Sequence, residues 1–367
     1  MTYARSRLWL GISGVGTMVL IAVAGLLLDW PRRLVGMSDI SALAWVLGAY
    51  VLVQLPFDLL GGYLLPHRFG RRAPPMSRFA ASWLRGVLLQ VVVMLLSALL
   101  IVTAGSAGGT AVGLASYAAL MIVLILVQGP LAQVVGGLKE VEARERTVSL
   151  QSDDEGFTGG IVGPPGADRI LLPAHWQTDG EQSALPIAIS RRKTIVASGA
   201  RLRGLVWAVA WNLAGFVLSV ELIPGANVSE VPGLLTLSLG MTLWSFLGLL
   251  LLPSLSRPAV LEADRATLDE AEWPKEQLQA TIRSLDRLQD DEPDRPRWVE
   301  RVFHPLPAVR SRLVALEQST PARRSVLGGW HTARTSLFLS WACLGFLSRI
   351  VHCNAGRPAL WVLLPSD

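Results

Sequence analysis

Long apolar runs, separated by polar segments, dominate the chain. Each of six runs approaches or exceeds the roughly 20 residues that a helix needs to cross a hydrocarbon core of ~30 Å. They are Leu8–Leu28, Ile40–Leu65, Gly86–Ala104, Leu114–Val135, Gly204–Leu222 and Leu234–Leu252. The first run is longer than the ~7–15 apolar residues of a signal peptide, so we expect it to stay uncleaved. The pattern predicts a mainly α, polytopic membrane protein with about six transmembrane helices.

The polar insertion between the fourth and fifth runs, residues 138–203, has a pattern of its own. Mixed charges over 138–150 predict that the fourth helix continues out of the membrane. Apolar residues on either side of a turn at Pro164–Gly166 then indicate two short strands. Residues 185–203 predict a basic helix that leads back into the membrane. A mostly helical cytoplasmic domain with a short β element follows from these features.

The chain after the sixth run is predicted to be helical and soluble. One helix begins after Pro274 and runs through Gln289, and another begins near Ala308. The apolar stretch 336–351 is short for a span and contains Arg349, so a buried or interfacial helix and an ordered tail are expected. The predicted organisation is a four-helix transmembrane region (1–137), a cytoplasmic insertion (138–203), a transmembrane hairpin (204–255) and a cytoplasmic helical region with a tail (256–367).

Charge gives the expected orientation. The loop 66–85 contains five arginines, whereas the loop 105–113 carries no charge. Positive loops stay on the cytoplasmic side, which predicts cytoplasmic N- and C-termini, although Arg32 and Arg33 would then lie outside. Arginine outnumbers lysine as in a GC-rich genome, so we expect a bacterial inner membrane, the lipid bilayer as partner and no nucleic acid.

Four short stretches occur in a suggestive order around the last hairpin. They are GFTGG (Gly156–Gly160), RRKTIVASG (Arg191–Gly199), SRPAVLEAD (Ser256–Asp264) and VFHPLPAVRSRL (Val302–Leu313). Together they resemble the HtpX-like membrane zinc metallopeptidases over roughly residues 155–316. The resemblance implies structural roles for Asp264, His304 and Pro305. It also implies an exposed strand that holds extended peptide, formed by Gly156, Phe157, Thr158, Gly159, Gly160, Ile161 and Val162.

By the same resemblance, residues that cannot bind zinc occupy the positions of the metal ligands. It implies that the first zinc-binding His falls on Arg191, the catalytic Glu on Arg192, the second His on Ile195 and the third-ligand Glu on Val260. Arginine stays protonated and aliphatic side chains have no lone pair, so none of these can bind zinc. We therefore expect no catalytic residues and no cofactor. The hypothesis is an inactive peptide-binding or regulatory protein, with extended peptides, membrane-protein segments or a paralogue as partners.

Two other functions stay open at this point. The first is an active zinc peptidase with non-standard ligands drawn from His175, His304 and His331. Glu262 and Asp264 with His304, or His352 beside Cys353, are weaker metal-site hypotheses. The second is a transporter or channel that uses Asp58, because ionisable groups inside a membrane are often functional. An ion pair between Asp58 and the arginines of the following loop is the competing interpretation. The other intramembrane polar residues are Gln54, Gln90, Gln128 and Asn212.

Overall fold

The computed structural model describes residues 1–71, 73–154, 156–177, 184–270, 273–289, 291–318, 326–351 and 354–363. His352 and Cys353, named above as a possible metal pair, lie outside these ranges. The described chain is mostly helical, with one small sheet. The mainly α architecture expected from the sequence is confirmed.

Five described helical stretches are long and apolar enough to cross a membrane: Tyr3–Leu27, Asp39–Arg68, Met76–Gly136, Ala200–Leu222 and Val231–Asp269. We label α1 as Tyr3–Leu27, α2 as Asp39–Leu59 and α3 as Met76–Gly136. One wide turn, Leu60–Leu64, joins α2 to a last helical turn at Leu65–Arg68. These stretches coincide with the apolar runs of the sequence. Their lengths meet what a helix needs to cross a bilayer.

The 61-residue α3 contains two crossings, because its backbone turns at Gly109. Gly109 has φ 72° and ψ −169°, a conformation that is essentially restricted to glycine. Residues at equal distances on either side of it meet the same neighbours: Gly105 and Gly113 both pack against Val228. The third and fourth expected spans therefore form a hairpin, and the five stretches supply six crossings.

The sheet has four strands in the order β1-β2-β4-β3. They are β1 Lys139–Arg144, β2 Thr147–Gln151, β3 Gly160–Val162 and β4 Arg169–Pro173. The pairing is antiparallel for β1 with β2 and for β3 with β4, and parallel for β2 with β4. The two strands around the Pro164–Gly166 turn are confirmed. The helix expected over 138–150 is wrong, because this segment forms the β1–β2 hairpin.

The remaining helices follow the sheet. They are α4 Leu185–Ala197, α5 Ala200–Leu222, α6 Val231–Leu251, α7 Pro253–Glu270, α8 Lys275–Gln289, α9 Arg297–Phe303 and α10 Val309–Glu317. The helix expected over 185–203 is interrupted at Gly199, whose φ of 72° separates α4 from α5. The helix predicted after Pro274 is confirmed, and Leu278, Ile282 and Leu285 form its buried face.

The C-terminal segment, described over residues 332–351 and 354–363, lies inside the helical bundle. It begins with α11, Thr332–Leu339, and continues through a short 3-10 turn at Ser340–Cys343 into irregular backbone. Only its first part is the helix that the sequence predicted over 336–351, because Leu344 has a left-handed φ of 52°. Its described side chains are buried, as expected, except for the half-buried Arg334 and Arg357.

Candidate functional site

The residues assigned to the zinc-site positions lie where α4 packs against α7. Arg191 of α4 and Asp264 of α7 are each 1% exposed, and the Nε atom of Arg191 donates to Asp264 Oδ1 over 2.5 Å. Arg312 of α10 donates to both carboxylate oxygens, from Nε over 2.7 Å and from a terminal nitrogen over 2.8 Å. One carboxylate therefore joins three helices.

Next to this ion cluster, the space between α4 and α7 is filled by apolar side chains. Ile195 is fully buried and Val260 is 1% exposed, and both belong to one apolar cluster. Its other buried members are Ile161, Ala200, Ala259, Ala263, Leu306 and Trp330. The Arg191 guanidinium carbon lies 5.1 Å from the centre of the Trp330 ring, a cation–π distance. The arrangement is a packed apolar core that borders buried arginines.

Arg192, at the position that the resemblance gives to the catalytic Glu, binds the strand region instead. It is fully buried, and its two terminal nitrogens donate to the carbonyls of Leu171 over 2.8 Å and Thr158 over 2.5 Å. Its guanidinium also faces the Trp176 ring. Arg192 thus fixes the loop before β3 to β4, and a guanidinium is a donor only, so it cannot act as a general base.

The strand region expected to hold peptide is covered. β3 is at the sheet edge, but Gly160, Ile161 and Val162 are all buried, so the expectation of an exposed edge is wrong for this structure. Phe157 and Thr158 are fully buried, and the Thr158 hydroxyl accepts from Gln289 over 3.0 Å. A peptide could pair with β3 only after buried side chains had moved.

A third arginine fixes the far end of the same hairpin. Arg201, at the start of α5, donates to Asp168 and to the carbonyl of Gly163 over 2.6 Å. Together with Arg192 it ties the β3–β4 hairpin to the helices on either side of Gly199. Sequence reasoning missed both contacts, although four arginines and a lysine between residues 190 and 204 were a usable signal.

The described histidines are not gathered into a metal site. Within the described ranges, no three His, Cys, Asp or Glu side chains come close enough to hold a metal ion. His175, His304 and His331 therefore do not converge, and the alternative ligand set is not brought together. Asp264 has both oxygens bound by arginine, so it is not available for a site with Glu262 and His304.

His331 has an unusual environment. It is 1% exposed, and within the described part of the chain neither of its ring nitrogens has a hydrogen-bond partner. Burial disfavours the charged imidazolium and lowers the pKa of His331 well below its usual value. The positive charges of three arginines add to this effect: Arg334, Arg191 and Arg192. The same charges would repel a metal cation.

His304 and Pro305 follow α9 and lie near the ion cluster. His304 is 5% exposed, and its carbonyl and that of Glu300 accept from Arg257 of α7. His304 and Pro305 line a small cavity together with Arg312. These contacts join α9 to α7 and are structural in kind.

Asp58 is bound inside the bundle and not to the loop that follows it. It is 1% exposed, and one oxygen lies 3.0 Å from Nε of Arg349 and accepts from the Trp83 indole over 2.9 Å. The other oxygen accepts from the backbone N–H of Gly356 over 2.8 Å. The expected pairing with the arginines of the 66–85 loop is therefore wrong. A carboxylate bound on both oxygens fits a structural ion pair and does not favour transport.

The other polar residues of the spans also bind the C-terminal segment. Gln54 and Gln90 accept from Arg349 over 2.9 and 3.0 Å. Gln54 and Gln128 donate to the carbonyls of Phe346 and Val362 over 2.8 and 3.1 Å, and Asn212 donates to that of Ser336 over 3.0 Å. Irregular backbone at membrane depth requires such internal partners.

Comparisons with known proteins place the fold. No protein-family model matches the chain, and no curated protein matches it by sequence. The crystal structure of S. mikatae Ste24p, a membrane zinc metallopeptidase, is similar with a TM-score of 0.65 and 11% identity. The match covers 82% of this chain and 80% of that one. The chain therefore has a membrane metallopeptidase-like fold.

The residues at the implied zinc site do not fit zinc. Zinc in peptidases is held by His nitrogen and carboxylate oxygen, with a water in an open position. Here Arg191, Arg192, Ile195 and Val260 offer no lone pair, and the apolar cluster occupies the space beside them.

Proposed function

We propose that this protein is a catalytically inactive, metallopeptidase-like protein of a bacterial inner membrane with a binding or regulatory role. The observation that carries the proposal is the ion cluster of Arg191, Asp264 and Arg312. By the resemblance, Arg191 stands where a peptidase has its first zinc ligand, and here it is committed to a buried carboxylate. A cation in that position opposes the binding of a second cation.

The apolar packing supports the same proposal. Metal-assisted hydrolysis needs a water molecule beside the metal and a base to activate it. Ile195 and Val260 pack within an apolar cluster instead. By the resemblance, Arg192 stands where the catalytic Glu would be, and its guanidinium can only donate hydrogen bonds. The guanidinium of Arg192 holds the strand region that an enzyme of this fold would leave open for substrate.

An extended peptide remains the partner class that we propose, either from a membrane protein or from a paralogue. β3 lies at the edge of the sheet, and its outer side has no strand partner among the described residues. Because Gly160, Ile161 and Val162 are buried, a peptide could pair with this edge only after the side chains that cover it had moved. We therefore infer a protein whose binding strand is closed in its resting state.

Metal analysis of the full-length protein tests the proposal. We expect less than about one zinc per ten chains after purification in detergent with added zinc, and no hydrolysis of unfolded protein. A known membrane zinc metallopeptidase purified in parallel is the positive control. One zinc per chain would contradict the proposal. If that zinc disappeared in a variant with His175, His304 and His331 all replaced by Ala, the peptidase with non-standard ligands would be correct.

A further inference from the structure

A cavity of about 510 Å³ lies where the membrane helices meet the sheet, away from the α4–α7 site. Its walls come mainly from the start and end of α3, the helical turns that follow α2, the β2–β3 connection and the C-terminal segment. Five glycines line it: Gly62, Gly136, Gly137, Gly156 and Gly356. A Cβ added at any of them would lie within 2.8 Å of another protein atom, so these glycines let the walls of the cavity pack closely together.

The charge of the cavity is mainly positive. Five basic side chains line it, namely Arg71, Arg78, Arg85, Lys139 and Arg357, against two acidic ones, Asp153 and Asp154. Arg357 neutralises Asp154 through two hydrogen bonds of 2.7 Å. Asp153 faces Arg78 at 3.9 Å, with both side chains exposed. An excess of positive charge remains.

The charge of Asp154 is fixed by its surroundings. Burial by itself would raise its pKa, but the charge and hydrogen bonds of Arg357, with the charge of Arg7, outweigh burial and the pKa is lowered. Asp154 therefore stays ionised and paired at neutral pH. It neither binds a metal nor cancels the other cations.

Arg85 and Lys139 supply the uncompensated charge. Within the described residues neither forms an ion pair, and Arg85 donates to the Ser82 hydroxyl over 3.2 Å. The Arg85 guanidinium lies against Gly137, where a larger residue would displace it. Both side chains are exposed to the cavity opening, one from α3 and one from β1.

We propose that this cavity binds a phosphate group, with Arg85 and Lys139 as its main contacts. A guanidinium binds phosphate oxygens through paired hydrogen bonds, and a lysine adds a compact charge. Arg85 immediately precedes the apolar run that begins at Gly86, which puts it at the level of lipid headgroups. Basic pockets between helix ends at this level bind anionic lipid headgroups. A soluble phosphate compound has the same chemistry.

The experiment compares full-length wild-type protein with R85Q/K139Q. The control R144Q/R283Q removes the same charge from exposed positions outside the cavity. Melting temperatures are measured in nanodiscs of phosphatidylcholine with and without phosphatidylglycerol, and in detergent with and without inorganic phosphate. We expect phosphatidylglycerol to raise the melting temperature of wild type and control, and at least half of that rise to be lost in R85Q/K139Q.

The outcomes of this experiment distinguish a lipid headgroup from a soluble phosphate compound as the ligand. A rise with phosphatidylglycerol alone assigns the site to a lipid headgroup, and a rise with inorganic phosphate assigns it to a soluble phosphate compound. No rise with either, or an equal loss in R144Q/R283Q, would overturn the proposal. If R85Q/K139Q does not fold, K139Q alone changes an exposed residue and must show a smaller rise than wild type.

Discussion

Arg349 and Asp58 come from opposite ends of the chain, and their charged groups lie 3.0 Å apart inside the helical bundle. Arg349 is fully buried and lies over the rings of Tyr50 and Trp361. Its remaining hydrogen bonds go to Gln54 and Gln90. A single guanidinium thus connects the C-terminal segment to the helices of the second and third spans.

Breaking this pair is expected to destabilise the protein strongly. Asp58→Asn leaves a buried guanidinium without its counter-charge, which costs about 3–5 kcal/mol. We expect Arg349→Leu to cost a similar amount. The double variant D58L/R349L should lose less than the sum of the single losses, because no charge is then left unpaired. Thermal unfolding in detergent measures the three variants.

The matched control is an exposed ion pair of the same length. Arg32 and Asp29 lie 3.0 Å apart with both side chains exposed to solvent. Asp29→Asn should change stability by no more than about 1 kcal/mol. Equal losses for Asp58→Asn and Asp29→Asn would show that burial does not govern the first pair.

Substitutions in the ion cluster around Asp264 are expected to differ in how much stability each one removes. Asp264→Asn removes the counter-charge of two buried arginines and should cost most, more than about 3 kcal/mol. Arg312→Met removes two hydrogen bonds and should cost less. Arg191→Met removes one and leaves the two-bond pair with Arg312 intact, so it should cost least. Chemical or thermal unfolding of the three variants checks this order, and a reversed order would contradict the geometry.

Because the pKa of His331 is lowered in the folded protein, we expect the protein to lose stability in mild acid. The folded pKa of His331 lies below the unfolded value of about 6.5, so the unfolded chain binds the proton first. Its contribution is complete above pH ~6.5 and falls by about 1.4 kcal/mol per pH unit below it, until the folded pKa is reached. His331 has a left-handed φ of 51°. His331→Asn should flatten this slope, because Asn does not titrate and tolerates that backbone conformation.

Measuring melting temperature between pH 7.5 and 5 tests that slope. His67→Asn, at an exposed position, is the control and should leave the slope of the wild type unchanged. If the H331N and H67N proteins lose stability equally on acidification, the slope belongs to other groups.

Replacing Gly109 is expected to strain the backbone without causing a steric clash. Nothing lies within 4 Å of the position where a side chain would begin, so the strain of Gly109→Ala comes from its φ of 72° alone. We expect a loss of about 1–3 kcal/mol. Gly48 has equally open surroundings but helical backbone, so Gly48→Ala should be neutral or slightly stabilising. Thermal unfolding of the G109A and G48A proteins separates the two cases, and equal effects would count against strain at Gly109.

The sequence predicted what depends on local pattern and length. The apolar runs matched the membrane helices because a bilayer sets their length, and the heptad-like spacing of Leu278, Ile282 and Leu285 gave the buried face of α8. The segment 139–144 was missed because its mixed charges suit an exposed helix as well as an exposed strand. Its pairing with β2 decides between them, and pairing is not local.

The candidate site was harder to predict for the same reason. The sequence showed that Arg191, Arg192, Ile195 and Val260 cannot bind zinc, because that follows from residue type alone. It did not show that Arg192 binds the carbonyl of Thr158, or that Arg349 is the partner of Asp58. Both contacts join segments that are distant in the chain, and only the fold brings them together.

The C-terminal segment has a consequence for how the chain is made. Residues 332–363 leave the ribosome after every span, yet Gln54, Gln128 and Asn212 from three different helices need their carbonyls as partners. Until that segment arrives, these amides lack the carbonyls to which they donate in the folded protein. Insertion into the bilayer and completion of the interior are therefore separate events. A ribosome that stalls late leaves a protein whose helices are inserted but whose interior lacks the C-terminal segment, and this is the state that quality control would meet.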